Sequence, residues 1–146
     1  MKKMHKFLLF VVCITFSANL LNAQNYYAEG DKTDLRNFLI QNSSIGGKTN
    51  GELLGLSAAN LNLLSTDSNW INEENWVGKI FGLTWNWNAE NPRRLTEITW
   101  NAKPLAGNLD LSNCTELISL GCSSNNLTNL DLSNCTELYE IGRAHV

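Results

Sequence analysis

The nine residues LDLSNCTEL occur at 109–117 and again, letter for letter, at 130–138. With Asn108 and Asn129 included, the identity is ten residues long at an offset of 21. Self-similarity at a fixed period of roughly 20–50 residues marks a chain built from stacked copies of one supersecondary unit. No other feature narrows the possible folds as far.

The flanking segments extend the repeat. LTEITWNAKPL (95–105) and LISLGCSSNNL (117–127) share apolar residues at the first, fourth, sixth and eleventh places: Leu95, Ile98, Trp100 and Leu105, then Leu117, Leu120, Cys122 and Leu127. Leu138 opens a third such segment. Ile98 and Trp100, like Leu120 and Cys122, stand two apart and point inward from a short strand. Leu109 and Leu111, like Leu130 and Leu132, do the same on the return path. Asn125, at the ninth place, can turn the chain by bonding backbone groups that the bend leaves unpaired. A single turn buries too little apolar surface to stand alone, so neighbours and a cap are required.

This template resembles the leucine-rich repeat, L-x-x-L-x-L-x-x-N-x-L, with Cys or Trp in one Leu slot. It is most similar to the 21-residue, cysteine-containing repeats of bacterial secreted and surface proteins, including internalin-like arrays. The resemblance covers residues 95–140. It departs at Lys103, which replaces Asn, in the 22-residue first turn from Leu95 to Leu117, and at Cys114 and Cys135, where many relatives carry Asn. The stretches DKTDLRNFLIQ, KTNGELLGL and NWVGKIFGLTWN resemble the cap segments that precede such arrays. The resemblance implies an α/β solenoid: leucine-rich repeat coils with a short parallel sheet, behind a small, mainly helical N-terminal cap over residues 24–94.

Local patterns fit that cap. Leu35, Phe38 and Leu39 share a helical face, with Asp31 or Thr33 able to cap its start. Asn72-Glu73-Glu74 begins a second helix that carries Trp76, Val77, Ile80 and Phe81 and ends at Gly82. Leu83, Trp85 and Trp87 alternate as an edge strand, and Pro92 marks the handover to the repeats.

Both ends of the chain read as something other than folded domain. Lys2, Lys3 and Lys6 precede an apolar run of about ten residues and a small residue at Ala23, the pattern of a secretory signal peptide over Met1 to Ala23. That run falls short of the roughly 20 residues a membrane-spanning helix needs. At the other end, residues 141–146, IGRAHV, break the repeat. Back-translated as ATC GGA AGA GCA CAC GTC, they resemble read-through of a common short-read sequencing adapter. The AG that precedes this in the adapter restricts residue 140 to Lys, Gln or Glu, and it is Glu140. The expectation is an artefact at 141–146 and an array that is truncated here.

Composition then limits function. Residues 24–140 hold 7 Lys and Arg against 14 Asp and Glu, a net charge of −7. Nucleic-acid binding wants clustered cations, and the pair Arg93-Arg94 is too small to supply them. His5 and His145 lie in the two end segments, so residues 24–140 contain no histidine to activate a nucleophile. Glu73 and Glu74 fit a helix start better than a glycosidase pair. Gly47-Lys48-Thr49 ends like a phosphate-binding loop, but Asn42 stands where the first glycine belongs and a helix precedes it; SIGGKTNGE (44–52) reads as a flexible loop. Cys114, Cys122 and Cys135 lack both zinc spacing and a fourth ligand. Cys114 and Cys135 read as a reduced ladder of small buried residues, since parallel Cβ vectors at a strand spacing of about 4.8 Å exceed the usual disulfide range. Trp70, Trp76, Trp85, Trp87 and Trp100 read mainly as cap and core, with Trp70 the best candidate for exposure.

The sequence thus points to an exported, non-catalytic binding or adhesion scaffold at the cell surface, with no cofactor and no metal. Its partner would be an extracellular protein or glycan. The outward strand places Glu97, Thr99, Ser119, Gly121, Ser123 and Glu140 are the candidate ligand contacts. An alternative is a glycan-binding module of a polysaccharide-processing protein whose catalytic domain lies downstream, for which aromatic residues at outward strand places would speak. A third possibility, a plain spacer, would show no consistent outward pattern.

Overall fold

The computed structural model describes residues 27–66, 80–86 and 92–142. The signal segment, Trp70, Trp76, Trp87, the last four residues and the expected helix from Asn72 up to residue 79 lie outside them; its expected end at Ile80, Phe81 and Gly82 is bend and turn. Among the described residues three helices come first: α1 (Glu29–Leu39), α2 (Asn50–Leu53) and α3 (Ala58–Thr66). Six strands follow: β1 (Leu83–Trp85), β2 (Leu95–Thr99), β3 (Ala106–Asp110), β4 (Ser119–Gly121), β5 (Asn126–Asp131) and β6 (Glu140–Gly142). One sheet has the order β1-β2-β4-β6 and the other pairs β3 with β5.

The predicted α/β solenoid behind a separate helical cap is not what the chain forms. It forms a small α/β domain with a mixed four-stranded sheet, antiparallel at β1–β2 and parallel from β2 to β6, and a two-stranded parallel sheet. The reason lies in how the repeats complete their core. Leu95, Ile98, Trp100, Leu109 and Leu120 bury against Leu35, Phe38 and Leu39 of α1, Leu54, and Trp85 of β1 in a single cluster. Phe38 stacks on Trp100 with ring centroids 5.5 Å apart. The segment before the repeats is therefore half of the core, and the repeat periodicity describes only the other half.

The repeats still set the strand register. Glu97, Ser119 and Glu140 lie side by side, as do Ile98, Leu120 and Ile141, and Thr99, Gly121 and Gly142. On the return path Asn108, Leu109 and Asp110 pair with Asn129, Leu130 and Asp131. Here the identical words stack on one another, and the Asn129 amide donates to Asn108 Oδ1 at 2.9 Å.

Asn125 closes the bend after β4. Its Oδ1 accepts the backbone N–H groups of Lys103 (3.1 Å) and Leu105 (3.0 Å). Its Nδ2 donates to the carbonyls of Trp100 (2.7 Å), Cys122 (2.9 Å) and Ser123 (3.3 Å). One side chain thus satisfies backbone groups of two successive turns, which a bend in a buried chain would otherwise strand. Before β1, Gly82 has φ +77°, and a Cβ there would sit 2.5 Å from the Thr99 carbonyl oxygen, so the approach of β1 to β2 needs glycine.

Two local expectations differ from the structure. Helix α1 starts at Glu29 behind Ala28 and has no side-chain cap. Asp31 lies inside its first turn and Thr33 at the start of its second, where the Thr33 hydroxyl donates back to the Glu29 carbonyl at 2.8 Å. The 44–52 stretch is not a loop throughout: Asn42 bridges Thr49, and Thr49 with Glu52 forms a capping box that starts α2.

Burial falls off across the repeats. Leu109, Leu111, Cys114 and Leu117 of the first word are 0% exposed, whereas Leu130, Leu132 and Leu138 of the second are only partly buried. Amide hydrogen exchange should accordingly show residues 128–140 less protected than 95–105; equal protection would contradict the gradient. Asn125→Ala should destabilise the domain by about 2–4 kcal/mol in urea unfolding, because it strands several backbone groups at once.

Candidate functional site

The outward residues of the four-stranded sheet form two rows. Glu97, Ser119 and Glu140 make one, and Thr99, Gly121 and Gly142 the other. Thr99 and Glu140 are exposed, Glu97 and Ser119 half-buried. Glu97 accepts a hydrogen bond from the Thr84 hydroxyl at 3.2 Å, which extends the first row onto β1. Two of the expected contacts sit differently. Gly121 is buried under the Asn101 side chain, whose Nδ2 would lie 2.7 Å from a Cβ at that position. Ser123 donates both its backbone N–H and its hydroxyl to Asn101 Oδ1, each at 2.8 Å. Asn101 thus covers Gly121 and fixes Ser123, so the available surface is Thr84, Glu97, Thr99, Ser119 and Glu140.

The inward places of the template lie where the strand geometry requires. Leu95, Ile98, Trp100, Leu105, Leu109, Leu111, Leu117, Leu120 and Cys122 are buried. Leu127, Leu130, Leu132 and Leu138 pack against that cluster from its less covered end. Trp85 and Trp100 belong to the core. Cys114, Cys122 and Cys135 are free and buried. Burial pushes all three thiols up, Cys135 to about 11 and Cys114 further still, with Asp31 and Asp34 adding to the rise at Cys114. A thiolate nucleophile is thereby disfavoured.

The repeat template gives no hint of a buried polar cluster behind the sheet. Asp31, 0% exposed, accepts the Leu95 backbone N–H at 2.7 Å and pairs with Arg94 at 3.1 Å. Arg94 continues outward, donating to the Asn113 carbonyl and the Thr115 hydroxyl, both at 2.7 Å. One turn along α1, Asp34 accepts from the Asn113 backbone N–H and side-chain amide, both at 2.8 Å. A signal was present: Asp31 and Asp34 lie on the face of α1 that carries Leu35 and Phe38, where a carboxylate must find a partner. Burial raises both carboxyls, and Asp31 reaches about 6 even though the Leu95 N–H and Arg94 oppose the shift. At neutral pH Asp31 is still the ionised partner of Arg94.

Among the described residues, no group of three or more His, Cys, Asp and Glu side chains could hold a metal ion, and no helix is long and apolar enough to cross a membrane. Comparison with known proteins gives no match: no family model, no curated protein and no solved structure is significantly similar to the chain.

The raised Asp31 carboxyl makes stability depend on pH. Its folded value, about 6, exceeds the ordinary value of an aspartate carboxyl, 3.8, so the folded state holds the proton more tightly. The resulting stabilisation is full below pH ~4 and is lost as pH rises through ~6. Relative to Asp31→Asn, the wild-type chain should lose on the order of 3 kcal/mol between pH 4 and pH 7. Urea unfolding at the two pH values measures this; a pH-independent difference between the two proteins would sink the account.

Proposed function

We propose that this chain is an exported, non-catalytic binding module that recognises a protein ligand at a cell surface through the outward face of its four-stranded sheet. The observation that carries the reading is the in-register row Glu97–Ser119–Glu140, which runs onto β1 through Thr84. Side chains held at strand spacing on a rigid sheet offer a preorganised surface, which lowers the ordering cost of binding. The leucine-rich repeat pattern of residues 95–140 and the signal-peptide pattern of Met1 to Ala23 support the same reading by analogy.

Several features favour binding over catalysis. The thiols are buried with raised pKa values. The buried carboxylates Asp31 and Asp34 are engaged by backbone and Arg94. The glycan-binding alternative would be supported by aromatic side chains in the outward rows, which consist of Glu97, Ser119, Glu140, Thr99, Gly121 and Gly142.

Flow cytometry of the labelled protein on a panel of bacterial and animal cells tests the proposal. Wild type should bind saturably, and Ser119→Arg should weaken binding about tenfold without lowering the Tm. Protease treatment of the cells should abolish binding. Loss on periodate treatment alone would favour the glycan reading, and unsaturable binding would end both.

A further inference from the structure

We infer a second binding site, a groove at the N-terminal ends of β2 and β4 that takes the Lys or Arg side chains of an extended basic peptide. The groove is open, with a volume of about 570 Å3, and is lined by Asn86, Thr96, Thr115, Ile118 and Thr136, with Glu116 and Glu137 exposed on it. None of the outward sheet residues lines it, so it stands whether or not the sheet face binds.

The repeat builds this groove. Thr115-Glu116 and Thr136-Glu137 are the same dipeptide of the repeated word, 21 residues apart. They recur on neighbouring turns, at roughly one strand spacing of ~4.8 Å. An extended peptide projects alternate side chains on one face about 6.8 Å apart, within reach of two long cations on two carboxylates. The lining suits such side chains: the Ile118 side chain and threonine methyl groups can meet an aliphatic stem while the charged head stays at the rim. Glu116 accepts one hydrogen bond, from Asn86 Nδ2 at 2.6 Å, and keeps acceptor capacity. Glu137 has no partner among the described residues. Arg94 nearby donates to Thr115 but is paired with Asp31, and so does not fill the groove.

Charge selects the occupant. Residues 95–142 carry one cation, Lys103, against Glu97, Asp110, Glu116, Asp131, Glu137 and Glu140, a net −5. A second copy of this surface would be repelled, and so would a nucleic acid. Among the described residues, the lining has no aromatic ring on which a sugar could stack.

The probe is the peptide Lys-Thr-Lys-Thr-Lys, acetylated and amidated, titrated into the protein by NMR and calorimetry at low salt, with Glu-Thr-Glu-Thr-Glu as counterpart. Saturable binding of the lysine peptide alone is expected, with amide shifts centred on 115–118 and 136–137. Raising the salt should weaken it. Glu116→Gln combined with Glu137→Gln should weaken it at least tenfold with an unchanged Tm, since both side chains are exposed. Glu97→Gln, on the outward face, should leave it within twofold. Absence of saturable binding, shifts centred elsewhere, or full affinity in the double variant would each overturn the site. A neutral oligosaccharide that produced the same shifts would overturn it in favour of a glycan groove.

Discussion

Asp31 sets how α1 lies against the start of the sheet. A carboxylate from the first turn of α1 reaches into the core, takes the N–H of the first residue of β2 and pairs with Arg94 just before it. One helical turn later Asp34 takes two donors from Asn113, in the loop between β3 and β4. Two acids on one helix therefore orient α1 against both the start of the sheet and the first repeated word. Burying a carboxylate is costly unless it is paired and hydrogen-bonded, so each of these contacts tolerates little displacement. Phe38 on Trp100 and Leu35 in the common core follow from the same placement.

With α1 fixed, the rest of the architecture is stacking. Asn125 satisfies two bends with one amide, and the second word lies on the first in register. The coverage is one-sided. The first word is closed by α1 below and the second word above, while the described residues leave the second word's leucines half-covered. The parallel ladder places equivalent repeat positions side by side, identical residues on the return path from Asn108 to Asp110 and similar or small ones on the sheet face. The row of Glu97, Ser119 and Glu140 and the paired Thr-Glu steps of the groove are both products of repetition.

The two surfaces differ in character. The sheet face is polar, with Asn101 covering Gly121 and securing Ser123. The groove is concave, with an apolar floor and exposed carboxylates. A polar face of in-register strands suits an extended protein contact, whereas a groove suits side chains inserted singly. Both lie on a part of the molecule carrying a strong excess of negative charge, which would accelerate the approach of a cationic partner.

The sequence alone determined what is periodic. Strand positions, the inward residues from Leu95 to Leu120, the bend at Asn125 and the outward row could be read off, because spacing by two and by 21 or 22 residues directly specifies which side chains share a face. Periodicity also misled, since extending it into a solenoid assumed that the repeats complete their own core. Only the tertiary structure decided that α1 and β1 complete it, that the sheet is therefore mixed, and that Asp31, Asp34 and Arg94 join the two halves. Those contacts span 60 residues or more between α1 and its partners. No local pattern encodes which buried carboxylate meets which backbone N–H; only packing the whole chain brings them together.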